Sequence, residues 1–325
     1  MKILVIGGTR FVGRHFVEAA LARGHDLTLV HRGKSGPDLF PEVRSILSDR
    51  RELAGALPDE MWDAVADTCA YFPIDVQRAC EALRGRVGYA LQVSTISVYD
   101  DPQGQPLDEQ SPLAQLDDPE TLELTGETYG GLKAACERVA ETGFPNLGIV
   151  RPTYILGPYD PTDRFAFWVD RLVRGVPVVL PIRPDGTSAP LQAIDARDLA
   201  QLIIQMVETQ TRGIYNTANQ SQPFGEILRQ AQQELGSRSE IYEVQAEFEG
   251  TDFPLLEPHS GASDPFMTLD AQAARSIGLQ IRPWSETIRD FADWWQAEPR
   301  TPKIGASDEK IEAFLASHTG SREAR

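Results

Sequence analysis

The sequence predicts an α/β protein, a doubly wound parallel sheet carrying a smaller C-terminal α/β lobe. Three observations predict it. Short apolar runs alternate with helical patterns through the first half of the chain, which is how repeated strand–helix–strand units read. A glycine-rich turn over residues 7–13 joins the first apolar run to the first amphipathic segment. Beyond residue 157 the texture changes: Gly157-Pro158-Tyr159-Asp160-Pro161 and Arg183-Pro184-Asp185-Gly186 interrupt the chain, and helices alternate less regularly with short strands.

The elements follow in order. Residues 2–6 form a buried strand, and Phe16, Val17, Ala20 and Leu21 then recur at helical spacing up to Gly24, a helix-ending glycine. A second strand covers 27–30 and a third 44–47, closing at Asp49. A fourth covers 62–66, with a helix over about 74–83, and a fifth, 89–93, runs into Ser94-Thr95. Residues 100–132 hold nine acidic side chains and no basic one. Rich in Pro, Gly and Asp, they read as a long surface connection, either solvated or repelling anionic ligands. A helix over about 129–141 and a strand over 147–151 follow. Later come an amphipathic helix at 199–207, a short strand at 213–216, and a helix with Phe291, Trp294 and Trp295 on one face. The expected organisation is a dinucleotide-binding domain over 1–156, a substrate lobe over 157–298 with some elements returning to the first sheet, and a polar tail over 299–325.

Composition narrows the function. The 325 residues are 41% hydrophobic and 24% charged, with a net charge of −17. That balance argues against nucleic acid, whose phosphate backbone needs a basic face. No apolar run approaches the roughly 18 residues of a membrane span. The charged start Met1-Lys2 leads straight into a strand, without a signal-peptide pattern. Cys69, Cys80 and Cys136 form no C-x-x-C and no paired framework, so a cytoplasmic protein with reduced thiols is expected. His15, His31 and His259 show no metal spacing.

The turn Gly7-Gly8-Thr9-Arg10-Phe11-Val12-Gly13 carries the first chemistry. Glycine lets the backbone double back after the strand, and a final glycine lets the helix pack against it. The helix N-terminus then offers free N–H groups and a positive dipole end to a pyrophosphate. Arg10 stands where the middle glycine of G-x-x-G-x-x-G usually stands. The second strand ends in Val30-His31-Arg32, without the acid that binds a ribose 2′-hydroxyl in an NAD site. Added cations and a missing acid favour NADP(H) over NAD(H), unless Arg10 and Arg32 are plain surface residues. Asp49 is placed to accept from an adenine amino group, or is an ordinary loop residue.

Tyr129-Gly-Gly-Leu-Lys133 supplies the second. Four residues apart, a phenol and an ammonium share one helical face. A phenol near pKa 10 shuttles protons at neutral pH when a nearby cation stabilises its phenolate, and Lys133 is that cation. Thr95, at the fifth strand's end, donates to a substrate oxygen.

These pieces resemble the extended or atypical short-chain dehydrogenase/reductases of the NAD-dependent epimerase/dehydratase group. The similarity lies in the turn at 7–13, Asp49, Ser94-Thr95-Ile96-Ser97-Val98-Tyr99, Tyr129 to Lys133, Arg151-Pro152-Thr153-Tyr154-Ile155-Leu156-Gly157-Pro158, and Asp195-Ala-Arg-Asp-Leu-Ala200. It covers the chain to about residue 297. The Gly-Gly-Thr-Arg-Phe turn is similar to a subgroup that includes chloroplast stem-loop RNA-binding proteins. The resemblance implies a Rossmann domain holding NAD(P), with Tyr129 as acid/base, Lys133 binding ribose and lowering the tyrosine pKa, and Thr95 orienting the substrate oxygen. It implies further cofactor contacts from Gly7, Thr9, Arg10, Phe11, Val12, Gly13, Asp49, Arg50, Thr68, Cys69, Ala70, Ser94, Pro152 and Ile155, beside His31 and Arg32. It implies hydride transfer at a carbonyl or secondary alcohol of a small-molecule substrate, and leaves a homodimer open. A non-catalytic regulatory or RNA-binding protein on the same fold is the alternative.

The chain departs from the group in two places. Dehydratases of the group carry an Asp-Glu pair after the Thr, where this chain has Ile96-Ser97. Nucleotide-sugar members have an Asn after the sixth strand and an Arg before the later Asp, where this chain has Thr153-Tyr154 and Pro190-Leu191-Gln192. Both departures weaken dehydration and nucleotide-sugar readings. Arg164, Arg171 and Arg183 supply another anion contact or are surface charges, and Phe165, Phe167 and Trp168 wall a cavity or fill a core.

Overall fold

Residues 1–100, 104–245, 251–256, 264–297 and 300–319 are described in the computed structural model. His259, Asp101 and tail residues 299 and 320–325 lie outside them. The described residues fall into two compact units. Met1–Thr153, Ala196–Asn219 and Leu269–Ile281 make the first, and Tyr154–Asp195, Gln220–Thr268 and the chain from Arg282 onward make the second.

In the first unit the chain runs through β1 (Lys2–Ile6), α1 (Val12–Ala22), β2 (Asp26–His31), β3 (Arg44–Leu47), the short α2 (Leu53–Ala56), β4 (Trp62–Asp67), α3 (Pro73–Leu83), β5 (Val87–Val93), α4 (Gly126–Gly143) and β6 (Leu147–Pro152). Strands buried on both faces need near-continuous apolar runs, and β1 is the clearest case. Its Leu4 and Ile6 pack with Leu53, Val65 and Leu83, while Ile3 and Val5 on the other face are also fully buried. Gly24 (φ 76°) ends α1, donating its N–H to Leu21 O in a left-handed conformation that glycine adopts without penalty.

The chain then enters the second unit with β7 (Tyr154–Leu156), α5 (Arg164–Arg174), β8 (Val178–Ile182), β9 (Pro190–Leu191) and β10 (Ala193–Asp195). It returns to the first with α6 (Ala196–Thr209) and β11 (Gly213–Thr217), goes back with β12 (Gln222–Pro223), α7 (Phe224–Glu234) and β13 (Ile241–Gln245), and visits the first once more with α8 (Gln272–Ser276). It finishes in the second with α9 (Trp284–Ala297) and α10 (Asp308–Thr319).

The seven strands of the first unit stand in the order β11-β6-β5-β4-β1-β2-β3, every neighbouring pair parallel. Helices α1 and α6 pack together, as do α3 and α4. This is the Rossmann-type doubly wound sheet. The winding reverses between β1 and β4, and the crevice outside the carboxyl ends of those strands is where such sheets bind ligands.

The second unit pairs β7 with β10, β8 with β13 and β9 with β12 around an aromatic core. Phe165, Phe167 and Trp168 are core residues, 1%, 4% and 0% exposed, and the Trp168 indole donates to Pro254 O (2.7 Å). Arg171 is no free anion contact either, since it pairs with Asp308 at 2.7 Å. β11 is the edge strand of the first sheet, beside β6, one of the elements that return to it. Two differences from the sequence reading stand out. The first unit closes at Thr153, so residues 154–156 join the second. The segment read as a polar tail contains α10, whose Ile311 is buried in the second unit's core.

Candidate functional site

The site is built at the carboxyl ends of the first unit's strands, beginning with the turn after β1. Gly7 (φ 103°) and Gly8 (φ 90°) hold backbone conformations closed to most side chains, and Gly7 N–H donates to Val30 O at 2.9 Å. A Cβ on Gly7 would lie 2.4 Å from Thr68 Oγ1, and one on Gly13 would lie 2.8 Å from the Gly8 backbone nitrogen. Gly13 and the strand–helix turn are therefore in contact with no room for a methyl group. Phe11, at φ 42°, opens α1 without a side-chain cap. Gly13 N–H donates to Arg10 O, no side-chain hydrogen bond caps this helix start, and its positive dipole end favours an anion. Thr9 is half-buried, Val12 is buried and Arg10 is exposed.

At the end of β2 the expectation for His31 changes. The ring is buried, its Nδ1 accepts from Gly33 N–H (3.1 Å) and its Nε2 faces Ser45 Oγ (3.3 Å). Burial pulls its pKa down, so it is a neutral ring engaged by the loop that follows it and by the neighbouring strand β3. Arg32, next along, is exposed.

Asp49 caps a short 3₁₀ turn, accepting from Arg51 N–H at 3.0 Å. Arg50 turns inward. Its two terminal nitrogens grip Asp67 at 3.1 and 2.6 Å, and one also donates to Cys69 O at 2.6 Å. Buried beside Asp67, Cys69 and Asp75, its charge is strongly held and its pKa is raised. Cys69 is kept uncharged instead: burial and Asp67 push its thiol to about 11, which keeps it protonated. Thr68 Oγ1 donates back to Ile6 O at 3.1 Å. The β4 end is thus pinned to β1 and to the turn after β3. Asp67, the acceptor at its centre, was not singled out in the sequence. Its signal was weak, an acid closing an apolar run.

At the β5 end Ser94 is buried and its Oγ has no protein partner. Thr95 Oγ1 accepts from Ser97 N–H and donates to Ser97 Oγ, both at 3.2 Å, capping the turn Ile96–Val98. Helix α4 begins at Gly126, three residues ahead of the expected start, because Thr125 and Thr128 form a reciprocal capping box. A Cβ on Gly130 would lie 2.2 Å from Ser97 O, and one on Gly131 would lie 2.8 Å from Leu116 Cδ2. Gly130 therefore seats the helix directly on the Thr95–Ser97 turn, and Gly131 seats it against Leu116. Gly130 is the second residue the sequence reading passed over.

Tyr129 is half-buried. Lys133, 3% exposed, donates to Ala70 O (2.7 Å) and Val93 O (2.8 Å), bracing the β4 end against the β5 end. Burial lowers its pKa, while Cys136, Asp67 and Glu137 act in the opposite sense. Glu137, one turn further along the same face, holds Arg151 at 3.0 and 3.2 Å through its Nε and at 2.5 Å through Nη2. Arg151 also donates to Tyr99 Oη (3.1 Å) and Glu109 O (3.2 Å), and Tyr99 donates to Asn216 Oδ1 (2.6 Å). Through Glu109 and Leu116, part of the acidic segment is tied to the strand ends that carry the site, so it is more than a solvated loop. Pro152 pairs with Thr217 across β6 and β11. Ile155 lies on β7 in the second unit. Among the described residues, no group of three His, Cys, Asp or Glu can hold a metal, and no helix is long and apolar enough to cross a membrane.

The first unit brings together the glycine turn, Thr68 to Ala70, Ser94, Thr95, Tyr129 and Lys133. These residues fit a dinucleotide: the cradle excludes Cβ atoms, the helix start is uncapped, and a buried hydroxyl at Ser94 has no protein partner.

Comparison with known proteins agrees. The model of the NAD dependent epimerase/dehydratase family matches residues 3–218. The chain is 26% identical over 239 residues to the chloroplast stem-loop binding protein of 41 kDa b of Arabidopsis thaliana, a match covering 67% of this chain and 59% of that protein, so it spans less than two thirds of that relative. The UDP-N-acetylglucosamine 4-epimerase of Bacillus cereus superposes with a TM-score of 0.69 at 17% identity, over 93% of this chain and 99% of that one. The UDP-glucuronic acid 4-epimerase of Bacillus cereus, solved in complex with NAD, superposes with a TM-score of 0.69 at 17% identity, over 92% and 100%. At these identities the two structures establish the fold.

Proposed function

Because the chain belongs to the NAD dependent epimerase/dehydratase family, we propose that it is an NAD(P)-dependent oxidoreductase or epimerase acting on a carbonyl or secondary alcohol, sugar-like or small, with Tyr129 as its acid/base. The observation that supports this reading is the seating of α4, with Gly130 against Ser97 O and Lys133 donating to Val93 O two residues before Thr95. When bound, the nicotinamide supplies or accepts the hydride. Tyr129 Oη gives or takes the proton at the substrate oxygen. The Lys133 ammonium, fixed by two carbonyls, stabilises the phenolate and has one further N–H for a ribose hydroxyl. The Thr95–Ser97 hydroxyl pair orients the substrate oxygen. Ile96 and Ser97 supply no acid–base pair for water loss, so dehydration is not assigned.

The exposed Arg32, with no acid at the end of β2, favours NADP(H) over NAD(H). Asp49 remains available to an adenine amino group through the carboxylate oxygen that does not cap Arg51. The three free cysteines suit the reducing cytoplasm. A second reading, the fold used as a nucleic-acid-binding module, draws on the stem-loop binding relative, but the net charge of −17 opposes it.

Tyr129→Phe separates the two. Turnover on a panel of sugars, nucleotide sugars and small ketones, followed by product analysis so that a hydride-recycling epimerase is seen, should fall about 10²–10⁴-fold with dinucleotide affinity preserved. Unchanged turnover in this variant removes Tyr129 from the mechanism.

A further inference from the structure

Tyr71 is a large side chain of the first unit that the reading above leaves without a role, although it is 43% exposed beside the site. It follows Ala70, whose carbonyl accepts from Lys133, and the Lys133 ammonium lies 5.5 Å from the centre of its ring. On its other side, Cys69 lines the glycine cradle: a Cβ on Gly7 would lie 3.4 Å from Cys69 Sγ. Burial raises the pKa of the Tyr71 phenol, Cys69 and Asp67 add to it, and the charge of Arg10 acts in the opposite sense. The segment is short and stiff. Phe72 is extended, as a residue before proline must be, and α3 starts at Pro73. Tyr71 therefore flanks Lys133, in the same short segment whose Cys69 lies against the glycine turn.

We propose that Tyr71 is a cofactor-binding residue: its ring forms the wall beside the ribose that Lys133 binds, and shields Lys133 from water when the site is unloaded. This rests on the dinucleotide reading above. The wall is an aromatic face, with Lys133 already held on one side, so binding depends on the ring and not on its hydroxyl.

Two measurements test it on the full-length protein. The first is the Kd of NADPH and NADH, by fluorescence titration, for wild type, Tyr71→Phe and Tyr71→Ala. The second is the rate at which acetic anhydride modifies Lys133 in the unloaded protein, followed by mass spectrometry. Loss of one aromatic contact in Tyr71→Ala should weaken the better-bound dinucleotide about ten-fold and expose Lys133 to several-fold faster acetylation. Tyr71→Phe should match wild type in both. Wild-type affinity in Tyr71→Ala overturns the assignment of Tyr71 alone, as does a Tyr71→Phe variant as weak as Tyr71→Ala. A wild-type protein that binds neither dinucleotide overturns both this assignment and the functional reading beneath it.

Discussion

The two ends of the first unit's site are built by opposite means. At the glycine turn the backbone does the shaping, through positive φ at Gly7 and Gly8, and the basic residues Arg10 and Arg32 are exposed. At the α4 end the cations are buried and already engaged. Lys133 is held by two carbonyls and Arg151 by Glu137, while Arg50, between the two ends, is held by Asp67. What the α4 end exposes instead is Leu122 and Leu124, 62% and 48% accessible, in sequence with Glu120, Glu123 and Glu127. The first end suits an anionic ligand. The second suits a proton transfer at a neutral group, because a buried, paired cation sets a local field without attracting a second anion.

Exchanging one glycine at each end for alanine tests that contrast most severely. Gly13→Ala pushes a methyl group against the Gly8 backbone, and Gly130→Ala pushes one against Ser97 O. Overpacking of this kind costs about 1–3 kcal/mol. Gly13→Ala should raise the dinucleotide Kd about 10–100-fold. Gly130→Ala should leave Kd near wild type and lower turnover instead. Titration and steady-state kinetics on the same preparations check this, and equal losses of affinity in both variants would erase the distinction between the ends. Arg32→Ala is the milder probe of the turn end. It should weaken NADPH binding about ten-fold, one charge-assisted contact, with NADH unaffected. Wild-type affinity for NADH at least equal to that for NADPH defeats the cofactor preference.

What could be read in advance divides along the same line. Buried parallel strands announce themselves as apolar runs, and the glycine turn carries its geometry in its composition, so β1, β5 and the cradle were legible. The pairing of Arg50 with Asp67 was not, because it joins two strand ends that only the folded sheet brings together. The same holds for β11, visible as a strand at 213–216 but silent about its partner β6. The early start of α4 was written in Thr125 and Thr128, a hydroxyl pair in place of the usual Thr with Glu or Gln. Lys133 was legible as a cation on the tyrosine's face, but its brace between Ala70 O and Val93 O was not, since carbonyl acceptors leave no mark in side-chain identity.

The smallest expected effect belongs to His31, and it bears on the turn end directly. Had the ring been cationic, acidification would strengthen the pull on a 2′-phosphate. In the fold it is buried, its pKa is lowered by that burial, and Nδ1 is occupied as an acceptor from Gly33 N–H. The unfolded ring titrates near pH 6.5, above the folded one, so below that pH the unfolded chain binds more protons than the folded chain. Stability from the neutral ring is therefore complete above the unfolded pKa and declines as pH falls through it. Thermal melts between pH 7.5 and 5.5 should show a larger decline in wild type than in His31→Asn, whose amide oxygen keeps the bond from Gly33 without titrating. NADPH affinity measured over the same range should show no gain from His31. A rise on acidification that His31→Asn abolishes would mean that the ring charges and faces the ligand, giving the turn end a third cation.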